Sequence, residues 1–168
     1  MERAQNIILK GRQVSQMIKR IAYEIYERNF KEEELVVAGI DENGYVLAQR
    51  LIKELKNIAP LHLTLVKIVL DKFQTKQSEI FLDIEPEALK HKNIIITDDV
   101  LNTGKTLAYS LKPFLNNEVK KIETAILVNR GHTLFPISAD YYGYELSTTL
   151  KEHIEVILSG ENEGVYLH

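Results

Sequence analysis

At 168 residues, 45% hydrophobic and 27% charged, the chain has the size and composition of one soluble globular domain spanning residues 1–168. Its formal net charge of −3 excludes a general electrostatic bias toward nucleic acid or an anionic membrane, and the absence of cysteine excludes disulfides and thiolate metal sites. No apolar run approaches the ~20 residues of a membrane span, and Met1 to Arg12 lacks the apolar core of a secretory signal, so a cytoplasmic protein is expected.

In chain order, Val14, Met17, Ile18, Ile21, Ala22 and Ile25 recur three and four apart, which predicts an amphipathic helix over Val14 to Arg28. Lys31 to Glu34 is a charged connector. Leu35 to Ile40 is apolar throughout and predicts a buried strand. Asp41-Glu42-Asn43-Gly44 follows as a turn, with Gly44 available for positive φ. From Tyr45, the spacing of Val46, Leu47, Leu51, Ile52 and Leu55 predicts a second helix, ending near Ile58 and Pro60. Leu61 to Leu70 predicts a strand. Residues 71–89 read as a long excursion whose polar start, Asp71 to Gln77, has no period. Loops of that length usually carry a function, and a mobile lid is expected. Within the excursion, Ile80-Phe81-Leu82 suits a short strand and Pro86 the first turn of a short helix.

The stretch from Asn93 to Leu107 is the most informative. Ile94-Ile95-Ile96 reads as a strand buried on both faces, ended by adjacent carboxylates, Asp98 and Asp99. A small polar turn follows, Asn102-Thr103-Gly104-Lys105-Thr106, then a helix to about Leu115. Such a turn can aim backbone N–H groups and the positive end of a helix at a phosphate. The carboxylates can accept hydrogen bonds from sugar hydroxyls or hold magnesium through water. A simple helix cap at Asn102 or Thr103 would explain the turn. It would leave unexplained two like charges at the end of a buried strand, which cost energy unless something occupies them.

Ile122 to Val128 predicts another buried strand, and Asn129-Arg130-Gly131-His132 opens a loop continuing through Pro136. Ala139 to Tyr142 and Ile154 to Leu158 suit short strands, and Val165-Tyr166-Leu167 a last edge strand. Tyr141, Tyr142 and Tyr144 suit either a subunit contact or a sheet edge. Arg130 to His132 suit either a pocket wall or a solvated turn. Strands alternating with helices imply an α/β fold with a mainly parallel central sheet and helices on both faces. In such sheets ligands sit at the carboxyl ends of the strands, where three loops fall together: Asp41 to Gly44, Asp98 to Thr106, and Asn129 to His132.

The run I-I-T-D-D-V-L-N-T-G-K-T resembles the phosphoribosyl pyrophosphate motif of the type I phosphoribosyltransferases. Three further stretches, R-I-A-Y-E-I-Y-E-R-N, G-Y-V-L-A-Q-R-L and L-V-N-R-G-H-T-L-F-P-I-S-A-D-Y-Y-G, resemble the pyrimidine-operon regulators that are also uracil phosphoribosyltransferases. The resemblance covers most of the chain and is poor over Asp71 to Leu89. It implies the superfamily's fold with a small C-terminal hood. It also implies transfer of ribose-5-phosphate from phosphoribosyl pyrophosphate to a nucleobase such as uracil. Asp98 and Asp99 would hold the ribose hydroxyls, as the catalytic acids of the site. Asn102, Thr103, Gly104, Lys105 and Thr106 would cradle the 5′-phosphate, although Lys105 also suits plain helix surface. Asp41, Glu42, Asn43 and Gly44 would face pyrophosphate, Arg130 would line the base pocket, and residues from Asp71 would close as a lid. Magnesium would ride on pyrophosphate and ribose oxygens near Asp98 and Asp99, with no direct protein cage.

Two departures stand out. The family's pyrophosphate loop usually carries a basic residue before its glycine, where this chain has Asn43, and the excursion offers Lys72 and Lys76 in place of an arginine. An acid at contact range of a polyanion costs on the order of 4 kcal/mol in a surface-like dielectric. The expected partners are therefore phosphoribosyl pyrophosphate and a nucleobase or nucleoside monophosphate. The alternative is a nucleotide-binding regulator that has lost turnover. RNA is a less favoured partner at this net charge, and a homo-oligomer, dimer or larger, is expected.

Overall fold

The computed structural model describes residues 6–70, 79–149 and 151–168. A six-stranded sheet runs through it in the order β4-β3-β2-β5-β6-β7. Its strands are β2 (Glu34–Ile40), β3 (His62–Val69), β4 (Phe81–Leu82), β5 (Asn93–Leu101), β6 (Lys121–Asn129) and β7 (Tyr141–Glu145). All neighbours are parallel except the two-residue β4, which pairs antiparallel with β3.

Strand alternation divides the core in two. Leu35, Val37, Ile95, Ala125 and Leu127 face one way, against α1 (Gly11–Arg28) and α2 (Asp41–Ile58). Val36, Ala38, Ile40, Ile94, Ile96 and Ile126 face the other, against Leu107 of α3 (Lys105–Ser110) and Phe114 of α4 (Lys112–Leu115). Burial on both faces is why these strands read as unbroken apolar runs. The mainly parallel sheet with helices on both sides is the fold class expected.

A second sheet of three antiparallel strands, ordered β1-β9-β8, forms the hood. It contains β1 (Asn6–Lys10), β8 (Ile154–Ile157) and β9 (Gly164–Leu167). Leu9, Ile154, Val156 and Val165 join it to the α1–α2 side of the core. The hood is thus built from both ends of the chain, and β9, expected at an edge, is its central strand. Segment 6–10 carries the apolar run Ile7-Ile8-Leu9 but is not among the strands expected from sequence; its pairing with β9 makes it one.

Other expectations need correction. The carboxylates do not end β5, which continues through Asp98 and Asp99 to Leu101, because β6 keeps pairing with it as far as Leu101↔Asn129. The helix expected to reach Leu115 is split into α3 and α4 at Leu111, since Pro113 has no N–H to continue the ladder. Asp41 to Gly44 is not a turn with Gly44 at positive φ. The chain bends at Glu42 (φ 37, ψ −103), inside the first turn of α2. Gly44 serves close approach: a Cβ there would lie 2.7 Å from the Thr97 carbonyl oxygen. Tyr141 is buried in its own chain, 1% exposed, and so is not available for a subunit contact.

Part of the expected lid, residues 71–78, lies outside the described residues. The remainder is anchored, with β4 on β3 and Leu89 of a 3-10 turn (Pro86–Leu89) buried. No helix among the described residues is long and apolar enough to cross a membrane.

Candidate functional site

Because β2, β5 and β6 are parallel, the loops that leave them emerge along one sheet edge. A cleft of about 790 Å³ opens there, within the range of small-molecule sites. One wall is Asp98 to Leu107, another is Asp41 to Asn43, and hood residues 153–156 of the β8 region close the far side. Of the residues singled out from sequence, Asp41, Glu42, Asn43, Asp98, Asp99, Asn102, Thr103, Gly104, Lys105 and Thr106 line this cleft. Gly44 sits behind it, packed on β5.

The acidic pair is held by its own backbone. Asp98 is 3% exposed and its Oδ1 accepts the Asp99 N–H at 2.9 Å. Asp99 Oδ1 accepts the Val100 N–H at 2.8 Å, and Asp99 Oδ2 accepts a hydrogen from the Asn43 amide at 2.9 Å. The following loop is anchored by its carbonyls: Thr103 O accepts the N–H groups of Leu134 at 2.7 Å and Phe135 at 3.1 Å. Gly104 has φ 86, and Ile137 Cβ lies 3.3 Å from where its own Cβ would be, so both backbone and space call for glycine. The six-residue α3 contributes little macrodipole, so an anion there would rely on the loop's backbone N–H groups.

The second wall is acidic. Asp41 Oδ1 accepts the Glu42 N–H at 2.9 Å and lies 3.7 Å from Lys67 Nζ, which sits over the Tyr45 ring. With Asp98, Asp99 and Glu155, the lining holds five carboxylates and one lysine, Lys105, among the described residues. Such a lining favours a polyanionic ligand only when a cation accompanies it.

Arg130 does not line this cleft. It borders an adjoining depression of about 420 Å³ with Asn102, Thr103, Gly131 and His132. Its guanidinium donates to Thr148 Oγ1 at 2.8 and 2.5 Å, Asn102 Oδ1 at 2.9 Å, Thr149 O at 3.2 Å and Glu152 O at 2.9 Å. All these hydrogen-bond acceptors are neutral, so Arg130 ties the approach to the hood onto the Asn102 loop, and its charge also acts on the nearby Glu152 carboxylate.

Sequence reasoning missed His153 and Glu155, which the hood brings to the cleft. Glu155 Oε2 lies 2.8 Å from His168 Nε2. The alternation His153-Ile154-Glu155-Val156 marks a polar strand face, but nothing local says what that face looks at.

Among the described residues, no three His, Cys, Asp or Glu side chains are arranged to hold a metal ion by themselves. Asp41, Glu42, Asp98 and Asp99 offer hard oxygen donors, which suit magnesium when a ligand's own oxygens complete its shell.

Known proteins resemble this chain in sequence and in fold. The phosphoribosyl transferase domain family matches residues 4–158. The bifunctional protein PyrR of Fusobacterium nucleatum is 36% identical over 179 aligned residues, covering 99% of this chain and 100% of that one. The bifunctional protein PyrR of Streptococcus thermophilus is 34% identical over 144 residues, covering 84% and 83% of the two chains. Among solved structures, a hypoxanthine-guanine phosphoribosyltransferase from Bacillus anthracis superposes with a TM-score of 0.72 at 22% identity, over 84% of this chain and 82% of that one, which speaks to the fold alone. A family pattern across most of the chain, and relatives above 30% identity along most of their length, establish that the chain belongs to the type I phosphoribosyltransferase superfamily, in its PyrR-like branch.

Proposed function

We propose that the cleft transfers ribose-5-phosphate from phosphoribosyl pyrophosphate to a nucleobase, uracil being the favoured acceptor, with release of pyrophosphate. The observation that carries this reading is the shared wall formed by Asp98, Asp99 and the Asn102–Thr106 loop, facing a hood across a cleft of small-molecule size. Asp98 and Asp99 accept the ribose hydroxyls. Thr103, Thr106 and the backbone from Gly104 hold the 5′-phosphate, and the hood side of the cleft takes the base. Arg130 acts from behind, holding Asn102, Thr148 and Glu152 in register.

In the reaction the bond from the anomeric carbon to pyrophosphate breaks and a carbon–nitrogen bond to the base forms, through an oxocarbenium-like state. What the chain must supply is orientation, exclusion of water and a place for developing charge. Magnesium bound with the activated sugar would neutralise charge on the departing pyrophosphate. Asp98 and Asp99 would approach it through water.

The test is release of pyrophosphate by purified protein supplied with magnesium, phosphoribosyl pyrophosphate and a panel of bases. Turnover with uracil and not with purines supports the full reading; no release with any base counts against it. One feature favours a second reading, a nucleotide-binding regulator without turnover. The Asp41 carboxylate already occupies the Glu42 N–H, a backbone donor that would otherwise face pyrophosphate. Calorimetric binding of uridine 5′-monophosphate, with no pyrophosphate release, would select that reading.

A further inference from the structure

Three walls of the cleft meet at the side chain of Asn43. Its amide nitrogen lies 2.9 Å from Asp99 Oδ2, in β5, and 2.9 Å from the carbonyl oxygen of Val156, in β8. Both partners are pure acceptors and an amide NH2 carries two hydrogens, so the orientation of the group follows from chemistry. Turned over, its oxygen would face a carboxylate and a carbonyl.

The backbone around Asn43 is equally constrained. The Thr97 hydroxyl donates to the Gly44 carbonyl at 2.6 Å. Glu42, immediately before, holds φ 37 and ψ −103. A non-glycine residue keeps such a conformation only where its surroundings over-determine it. The two hydrogen bonds of Asn43 and the Thr97–Gly44 contact supply that constraint from three sides. On the far side of the same carboxylate, Val100 N–H holds Asp99 Oδ1 at 2.8 Å, so both oxygens are engaged and the plane of the group is set.

We propose that Asn43 is a positioning residue: a latch that orients the Asp99 carboxylate toward the sugar and docks β8 over the cleft, acting on the ligand through both and touching neither sugar nor base. This rests on reading the cleft as a phosphoribosyl site. Its consequence is coupling. One amide serves the sugar wall and the hood, so occupancy of one side biases the other. The polar but uncharged side chain is also what the position demands. An acid there would oppose Asp99 and the Val156 carbonyl, and alanine would leave both without this donor.

The test combines calorimetry with uridine 5′-monophosphate and amide exchange over residues 153–158. The proteins are wild type, Asn43→Ala, Asn43→Ser, Asp99→Asn and the Asn43→Ala/Asp99→Asn double variant. Asn43→Ala is expected to weaken binding by roughly 10- to 100-fold, the effect of losing one hydrogen bond to a charged group. Asn43→Ser, which keeps one donor, should recover part of that loss. In the Asp99→Asn background the same alanine change should cost far less, because the charge it orients is gone. Without ligand, exchange across β8 should quicken in Asn43→Ala. Equal losses in both backgrounds, or unchanged affinity together with unchanged β8 exchange, would overturn the latch. Failure of the wild type to bind the nucleotide would overturn the phosphoribosyl reading itself, while β8 exchange in the ligand-free proteins still decides the hood arm of the latch.

Discussion

Glu123 lies 7% exposed near the start of β6, at the end of the sheet away from the cleft. Its carboxylate accepts hydrogen bonds from Asn29 at 3.0 Å and from the Tyr141 hydroxyl at 2.8 Å, with Lys121 Nζ at 3.2 Å. Burial pushes its carboxyl up, but the hydrogen bonds from Asn29, Tyr141 and Lys121 outweigh that and hold it below the usual range. Burial and the same carboxylate push the Tyr141 hydroxyl up. A depressed carboxyl contributes stability above its unfolded value, about 4.3, which is lost as pH falls through the lower folded value. Glu123→Gln should therefore cost about 1–3 kcal/mol at neutral pH, and the gap from wild type should close as acid is added below the ordinary carboxylate range. Denaturant titrations at several pH values measure it. Glu42 carries the opposite kind of energy, strain. Glu42→Gly should raise stability by about 1 kcal/mol and the melting temperature by about 2–4 °C, as a thermal scan would record.

Between elements, the decisive joints are few. Arg130, at the exit of β6, reaches Asn102 at the exit of β5 and the segment from Thr148 to Glu152 that leads into β8. A lysine has one ammonium and cannot span acceptors on both sides as a planar guanidinium does. Arg130→Lys is expected to lose about 1–2 kcal/mol of local stability, seen as faster amide exchange over residues 148–154, with the sheet itself unchanged. Similar reasoning explains the split between α3 and α4. Pro113 lacks the N–H that would continue the helical ladder, and Leu107 and Phe114, on either side of the break, both pack in the second core.

At the scale of the whole molecule, the hood closes the chain on itself. Removing residues 1–10 would strip β1 from β9, uncover Val165 and leave β9 as the edge of a two-stranded sheet. The truncated chain should melt several degrees lower, because one lost strand carries the buried Leu9 with it, worth about 2 kcal/mol of burial. It should also bind nucleotide more weakly; calorimetry of both proteins checks this. The sequence alone was enough to read the parallel sheet, both long helices and the Asp98–Thr106 wall, because apolar period, charge placement and turn chemistry are local properties of consecutive residues. It could not show that β5 runs on through the acids, since that depends on β6 lying alongside. Nor could it show that β1 joins β9, or that His153 and Glu155 border the cleft. Asn43 reads locally as a turn residue. Only the meeting of β5 and β8, distant in the chain, gives its two hydrogens a carboxylate and a carbonyl to hold.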